Sequence, residues 1–195
     1  RKALDEGLKV QFPLVREIVE AFDLPIHSIE GYEADDLIGT LSRKIIEENA
    51  DAEVIILTGD SDQYQLVNDR VHIFMAAKSF KDSVLLKYDD VVAKLGFEPK
   101  LLIDYKAIRG DTSDNIPGIK GIGEKVATDL VKEFGSVEDI YLNIENIKSK
   151  AVRQKLIDGY DMAILSQKLA TIDLNAPVGI IDYEKGYVWD FEMEK

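Results

Sequence analysis

The chain is 195 residues long and 46% hydrophobic, enough for one sizeable core or a core with a small appended domain. It has no cysteine and two histidines, which excludes a disulfide framework and a thiolate or histidine zinc site, so any bound metal would be held by oxygen. A formal charge of −13, from 37 acidic and 24 basic side chains, argues at face value against a polyanionic partner.

That charge is unevenly spread. Residues 116–170 carry eight basic and eight acidic side chains, so the whole excess lies outside this stretch. If the outlying carboxylates converge on divalent cations, the ions cancel part of the excess where a phosphate would sit. A solvated acidic surface is the alternative. No run approaches the roughly 20 apolar residues of a membrane helix, and no charged-then-apolar leader opens the chain. A soluble, cytoplasmic protein is the expectation. The first residue is Arg1, in what reads as the middle of a helix, so a fragment of a longer chain is expected.

In chain order, residues 12–22 place apolar side chains at helical spacing and stop before Leu24-Pro25, predicting an amphipathic helix. Residues 33–49 predict a second, with Leu37, Ile38, Leu41, Ile45 and Ile46 on one face and acids at its start. Val54-Ile55-Ile56-Leu57 is a short continuous apolar run, the pattern of a strand buried on both faces in a parallel sheet. Residues 71–75 and 84–86 read as two more strands, which together indicate α/β layers. From Tyr88 the pattern becomes helical: a capped helix over 89–96, another over 99–109, one over 122–134 and a longer one over 149–169. Two units are therefore expected, an α/β unit over 1–88 and a helical one over 89–195. The tail from Pro177 is poorly specified.

Three acidic groups stand out. Glu33-Ala34-Asp35-Asp36 opens a predicted helix, where acids ordinarily cap free N–H groups and complement the helix dipole. Asp60-Ser61-Asp62 follows the first strand at its C-terminal end, where α/β sheets place ligand sites. An EF-hand does not fit, because its twelfth position would be Val71. Asp111-Thr112-Ser113-Asp114 lies between two helices and by itself reads as a turn. With no lysine nearby to pair them, convergence around cations is the sharper hypothesis, and an all-oxygen donor set selects Mg²⁺ or Mn²⁺. Two such ions about 3.5 to 4 Å apart are the apparatus of phosphodiester hydrolysis.

Ile116-Pro117-Gly118-Ile119-Lys120-Gly121-Ile122-Gly123-Glu124-Lys125 has the glycine spacing of a helix-hairpin-helix. Gly118 and Gly121 permit a tight turn, and Gly123 lets N–H groups at the next helix start approach a phosphate. Lys120 and Lys125 add positive charge, so the hairpin reads as a site that grips duplex DNA without reading its sequence. A ligand-free interhelical turn is the alternative.

The segments EGYEADDLIGTL (30–41), ILTGDSDQYQL (56–66) and IRGDTSDNIPGIKGIGEKVATDLVKEFGSVEDI (108–140) closely resemble the 5′-nuclease family of bacterial polymerases, which includes the flap endonucleases. The similarity runs over residues 12–172. It implies a PIN-like, Rossmann-like α/β domain with a mostly parallel sheet, and a helical subdomain containing the helix-hairpin-helix. It further implies Glu33 and Asp35 as ligands of a first divalent ion with Asp36 behind them, Asp60, Asp62 and Asp114 as ligands of a second, and Asp111 as a neighbouring carboxylate. A K⁺ ion would sit on the turn carbonyls among Gly118, Ile119, Gly121 and Ile122. The implied partner is 5′-flapped or nicked DNA, bound through Gly118, Lys120, Gly121, Ile122, Gly123 and Lys125, with a polymerase domain in the same parent chain. A monomer in the bacterial cytoplasm, associated with the nucleoid, is expected. The family also opens with a strand bearing a metal-binding aspartate, another aspartate, and a basic helical arch, none of which this sequence contains. An incomplete first metal site and little or no activity follow as expectations for the chain. Two other readings stay open: a non-catalytic hairpin module that binds duplex DNA, and a phosphatase using Asp60 and Asp62 as nucleophile and acid.

Overall fold

A computed structural model describes residues 5–22, 24–77 and 79–179 of the chain. A short helix α1 (Glu6–Lys9) precedes α2 (Phe12–Ala21), which carries Pro13 in its first turn, where the missing N–H costs nothing. The amphipathic pattern that marks α2 covers no core: Phe12, Leu14, Val15 and Ile18 are all more than half exposed.

Helix α3 (Ala34–Glu48) leads into strand β1 (Val54–Thr58), a 3₁₀ turn over Ser61–Leu66, and strands β2 (Val71–Met75) and β3 (Val84–Leu86). The sheet order is β1-β2-β3, with β1 parallel to β2 and β2 antiparallel to β3. The sheet is therefore mixed. The expectation that β1 is buried on both faces does not hold: Ile56 is 5% exposed, but Ile55 and Leu57 are 58% and 69% exposed. An unbroken apolar run fits a doubly covered strand, yet here only one face of β1 meets the core.

Helix α4 (Tyr88–Leu95) ends on Gly96 in the left-handed conformation. A 3₁₀ turn over Pro99–Leu101 runs into α5 (Leu102–Arg109), followed by α6 (Glu124–Phe134) and α7 (Val137–Leu142). The long helix expected over 149–169 is two helices, α8 (Lys150–Asp158) and α9 (Tyr160–Ala170), because the chain breaks at Gly159. A Cβ on Gly159 would lie 2.6 Å from Ile119 Cγ2, so the break lets the hairpin approach. Helix α7, too short for a strong periodic pattern, is held by Val137 and Ile140, both fully buried.

One hydrophobic core runs through both the sheet and the helices, joining Ile56, Val71 and Ile73 to Val91, Ile108, Val131, Ile140 and Leu156. Each such side chain contributes about 1.5 to 3 kcal/mol by leaving water. The segment after α9 returns to α3: Asp173 N–H donates to Asp36 Oδ1 at 2.8 Å and Ala176 N–H to Thr40 Oγ1 at 3.1 Å. Gly39 permits this approach, since a Cβ there would lie 2.7 Å from Leu174 Cδ2. Among the described residues no helix is long and apolar enough to cross a membrane.

Candidate metal and nucleic-acid site

All three acidic groups meet. A cleft of about 950 Å³ is lined by Glu33, Asp35 and Asp36 from the start of α3, Asp60 and Asp62 from the turn after β1, and Asp114 from the α5–α6 loop. Its far wall is Lys168–Ile172, the end of α9 and the residues beyond.

Local bonding separates the carboxylates by role. Asp36 has both oxygens engaged: Oδ2 accepts from Glu33 N–H at 3.1 Å, closing the first turn of α3, and Oδ1 accepts from Asp173. It is a structural clamp behind Glu33 and Asp35. Asp60 caps the 3₁₀ turn by accepting from Asp62 N–H at 2.9 Å, and its own N–H donates to Thr58 Oγ1. This turn aims Asp60 and Asp62 into one cleft. Asp111 is tied down by Ser113, whose N–H and hydroxyl both donate to Oδ1. Paired hydrogen bonds between Asp111 and Ile116 close the loop, and Asn115, at φ 59°, makes the tight turn that presents Thr112 to Asn115.

Lys106 lies at the centre of the second cluster. This α5 side chain is 6% exposed, and its ammonium touches Asp62 Oδ1, lies 2.7 Å from Asp111 Oδ2 and 3.7 Å from Asp114 Oδ2. The absence of a pairing lysine, part of the argument from sequence, is therefore corrected. Lys106 was missed because it lies five residues before Asp111, inside α5, and only the Gly110 bend folds the loop back over it. The three carboxylates each offer an oxygen within 4.8 Å of the others, a spacing that suits a metal ion.

The electrostatics follow from crowding. Burial raises the Asp35 pKa, Asp60 adds to the rise, and the Gln63 side chain opposes it. Gln63 is fully buried against this carboxylate and carried no sequence signal. Asp62 is pushed up to about 6, first by burial and then by Asp114 and Asp60, against the pull of Lys106. For Asp111 burial acts upward, but Lys106 and the Ser113 donors outweigh it and lower the pKa to about 2. Burial acts to lower the Lys106 pKa, and Asp111 and Asp62 more than offset it, so the ammonium stays charged. Neighbouring carboxylates that resist ionisation together are stabilised by a cation placed among them.

The hairpin connects α5 to α6. Gly118 and Gly121 take φ of 61° and 82°, which L side chains rarely adopt. Gly118 is also sterically required, since a Cβ would lie 2.2 Å from Gly110 N. Its N–H donates to Ser166 Oγ at 3.0 Å, and Ile119 N–H donates to Ile108 O at 2.8 Å, fixing the turn to α9 and α5. Gly123 caps α6 with open space where a Cβ would be, and Lys120 and Lys125 are exposed beside it. Ile119 and Ile122 are core residues, so they offer a ligand only their carbonyls. Ile119 O accepts from Ile122 N–H, and Gly121 O accepts from Lys155 Nζ at 2.7 Å. Lys155, on α8, was not anticipated.

An acidic cleft beside a helix-hairpin-helix, on a mixed sheet with a helical cap, defines a nuclease-type fold. The chain belongs to the 5′-3′ exonuclease family: the N-terminal resolvase-like domain matches residues 1–96 and the C-terminal SAM fold residues 97–187. It is 45% identical over 182 residues to DNA polymerase I of Caldicellulosiruptor bescii, covering 92% of this chain and 21% of that protein. To DNA polymerase I of Bacillus caldotenax it is 41% identical, covering 91% of this chain and 20% of the relative. The chain thus spans about a fifth of the curated relatives it matches. Bacteriophage T5 D15 flap endonuclease, in a pseudo-enzyme-product complex with DNA and metal ions, is 25% identical with a TM-score of 0.65, covering 89% of this chain and 63% of that one.

Proposed function

We propose that the chain is the 5′-nuclease part of a bacterial DNA polymerase I, cutting phosphodiesters near 5′ ends in flapped or nicked duplex DNA. The observation that carries this reading is the meeting of Glu33, Asp35, Asp60, Asp62 and Asp114 on one cleft that the hairpin loop adjoins in sequence. The donor chemistry suits Mg²⁺ or Mn²⁺: every donor is a carboxylate oxygen, and the burial that raises Asp35 and Asp62 is relieved by added positive charge. Glu33 and Asp35 would hold one ion, and Asp60, Asp62 and Asp114 the other. Bound there, divalent ions stabilise charge developing on a phosphate and make water more acidic.

The protein's own groups do the rest. Lys120 and Lys125 draw in the phosphate backbone, and the N–H groups at the start of α6 donate to a phosphate where Gly123 leaves the approach open. No base edge is read, so binding is indifferent to sequence. A K⁺ ion on the turn carbonyls would have to share Gly121 O with Lys155. The parent protein would act as a monomer in the bacterial cytoplasm on nucleoid DNA, with α/β and helical units of 1–88 and 89–195.

The test is 5′-flap cleavage with Mg²⁺ by the 195-residue chain and by a chain extended to the parent's length. Cleavage by the longer protein that Asp62→Ala abolishes supports the reading, with little or no turnover expected from the shorter one. Duplex binding by both, indifferent to Mg²⁺ and without cleavage, would establish the hairpin-only alternative instead.

A further inference from the structure

A buried lysine among three carboxylates is more than a charge partner when those carboxylates also suit a divalent ion. Lys106 Nζ touches Asp62, lies 2.7 Å from Asp111 and 3.7 Å from Asp114, and its side chain is only 6% exposed. The three partners are not equivalent. Asp62 and Asp114 line the cleft, whereas Asp111 does not and already accepts the N–H and hydroxyl of Ser113 at its other oxygen. An ion arriving from the cleft meets Asp62 and Asp114 first.

We propose that the Lys106 ammonium is a tethered resident cation of this triad, which a divalent ion must displace from Asp62 and Asp114 onto Asp111, so that Lys106 sets the affinity of that ion. The inference rests on the reading of the cleft as a divalent-ion site. Its physics is competition. A carboxylate oxygen has few lone pairs, and an ammonium and a divalent ion repel at these distances. Lysine is suited to the exchange because its compact charge sits on a flexible four-carbon stem, so the ammonium can withdraw while its backbone stays fixed in α5. In the ion-free state the same ammonium keeps three crowded carboxylates from repelling one another.

The test is calorimetric titration of the whole chain with MnCl₂, comparing wild type, Lys106→Met and Lys106→Met/Asp62→Asn. Lys106→Met is expected to bind Mn²⁺ at least ten-fold more tightly than wild type, with the gain lost in the double variant. Equal or weaker binding by Lys106→Met overturns the proposal. If wild-type binding is not weakened by Asp60→Asn or Asp62→Asn, the divalent-site reading itself fails, and the two failures are thereby distinguished. Should Lys106→Met not fold without an ion, the wild-type Lys106 ¹³Cε resonance is followed during a Mg²⁺ titration. It is expected to shift as the ion binds, and a resonance unmoved at saturation overturns the proposal.

Discussion

The buried hydroxyl of Ser166 accepts a hydrogen bond from Gly118 N–H at 3.0 Å, joining α9 to the first glycine of the hairpin. Ser166→Ala leaves that N–H buried and unpaired, which costs about 1 to 3 kcal/mol. Urea denaturation should show the loss, and binding to a flapped duplex should weaken because the loop is no longer pinned. Unchanged stability would mean the bond contributes nothing.

The hairpin glycines should separate cleanly. Gly118→Ala forces a Cβ to within 2.2 Å of backbone at a positive φ and is expected to destabilise the chain by about 3 kcal/mol or more. Gly123→Ala meets nothing within 4 Å, so stability should change by about 1 kcal/mol or less. Its effect should fall on DNA affinity, since the new methyl occupies the approach to the start of α6. Thermal melts paired with fluorescence anisotropy on duplex DNA read both quantities.

Two acids of the cleft should respond in opposite ways. Asp60 raises the pKa of Asp35 by repulsion, while an amide at position 60 can still accept from Asp62 N–H. Asp60→Asn should therefore raise the ion-free melting temperature by a few degrees, on the order of 1 kcal/mol, and lose most of the stabilisation that Mg²⁺ brings to wild type. Asp36→Ala removes the acceptor of two backbone N–H groups and should lower the melting temperature with or without Mg²⁺. A calorimetric scan with and without the ion checks both.

Asp104 offers a pH-dependent test away from the cleft. It accepts from Val137 N–H at 2.9 Å and from Gln167 Nε2 at 3.1 Å, tying α5 to α7 and α9. Burial raises its pKa above the ordinary 3.8, against the pull of these donors. The folded chain thus binds this proton more tightly than the unfolded chain. The associated stability is present below 3.8 and is lost as pH rises through the folded value. Asp104→Asn should consequently compare better with wild type at pH 7 than at pH 4, while Asp104→Ala should lose about 1 to 3 kcal/mol at pH 7 by leaving Val137 N–H unpaired. Denaturation at both pH values decides it.

Much of this architecture was legible because α3, β2, β3, α4 and α6 each have a local pattern that agrees with their tertiary surroundings. The site was legible for a similar reason: Asp60-Ser61-Asp62 and the hairpin glycines need particular residues at fixed short spacings. What stayed hidden depends on long-range packing. Lys106 reads as an ordinary helical lysine until the loop after Gly110 closes over it. Gln63 reads as a polar turn residue until it is buried against Asp35. The division between α8 and α9 depends on the approach of Ile119 to Gly159 from some forty residues earlier. Residues 180–195, part of the poorly specified tail, lie outside the described residues.

The segment that returns from α9 to α3 makes the cleft a joint product of distant stretches of chain. One wall comes from residues up to Gln65 and the other from Thr112 onward, and the Asp36–Asp173 and Thr40–Ala176 bonds hold the walls in register. Cutting the polypeptide between the two halves would leave neither with all of the cleft's carboxylates. Chimaeras between relatives should thus retain function only when both stretches are inherited from one parent, which would keep the halves evolving as a linked pair.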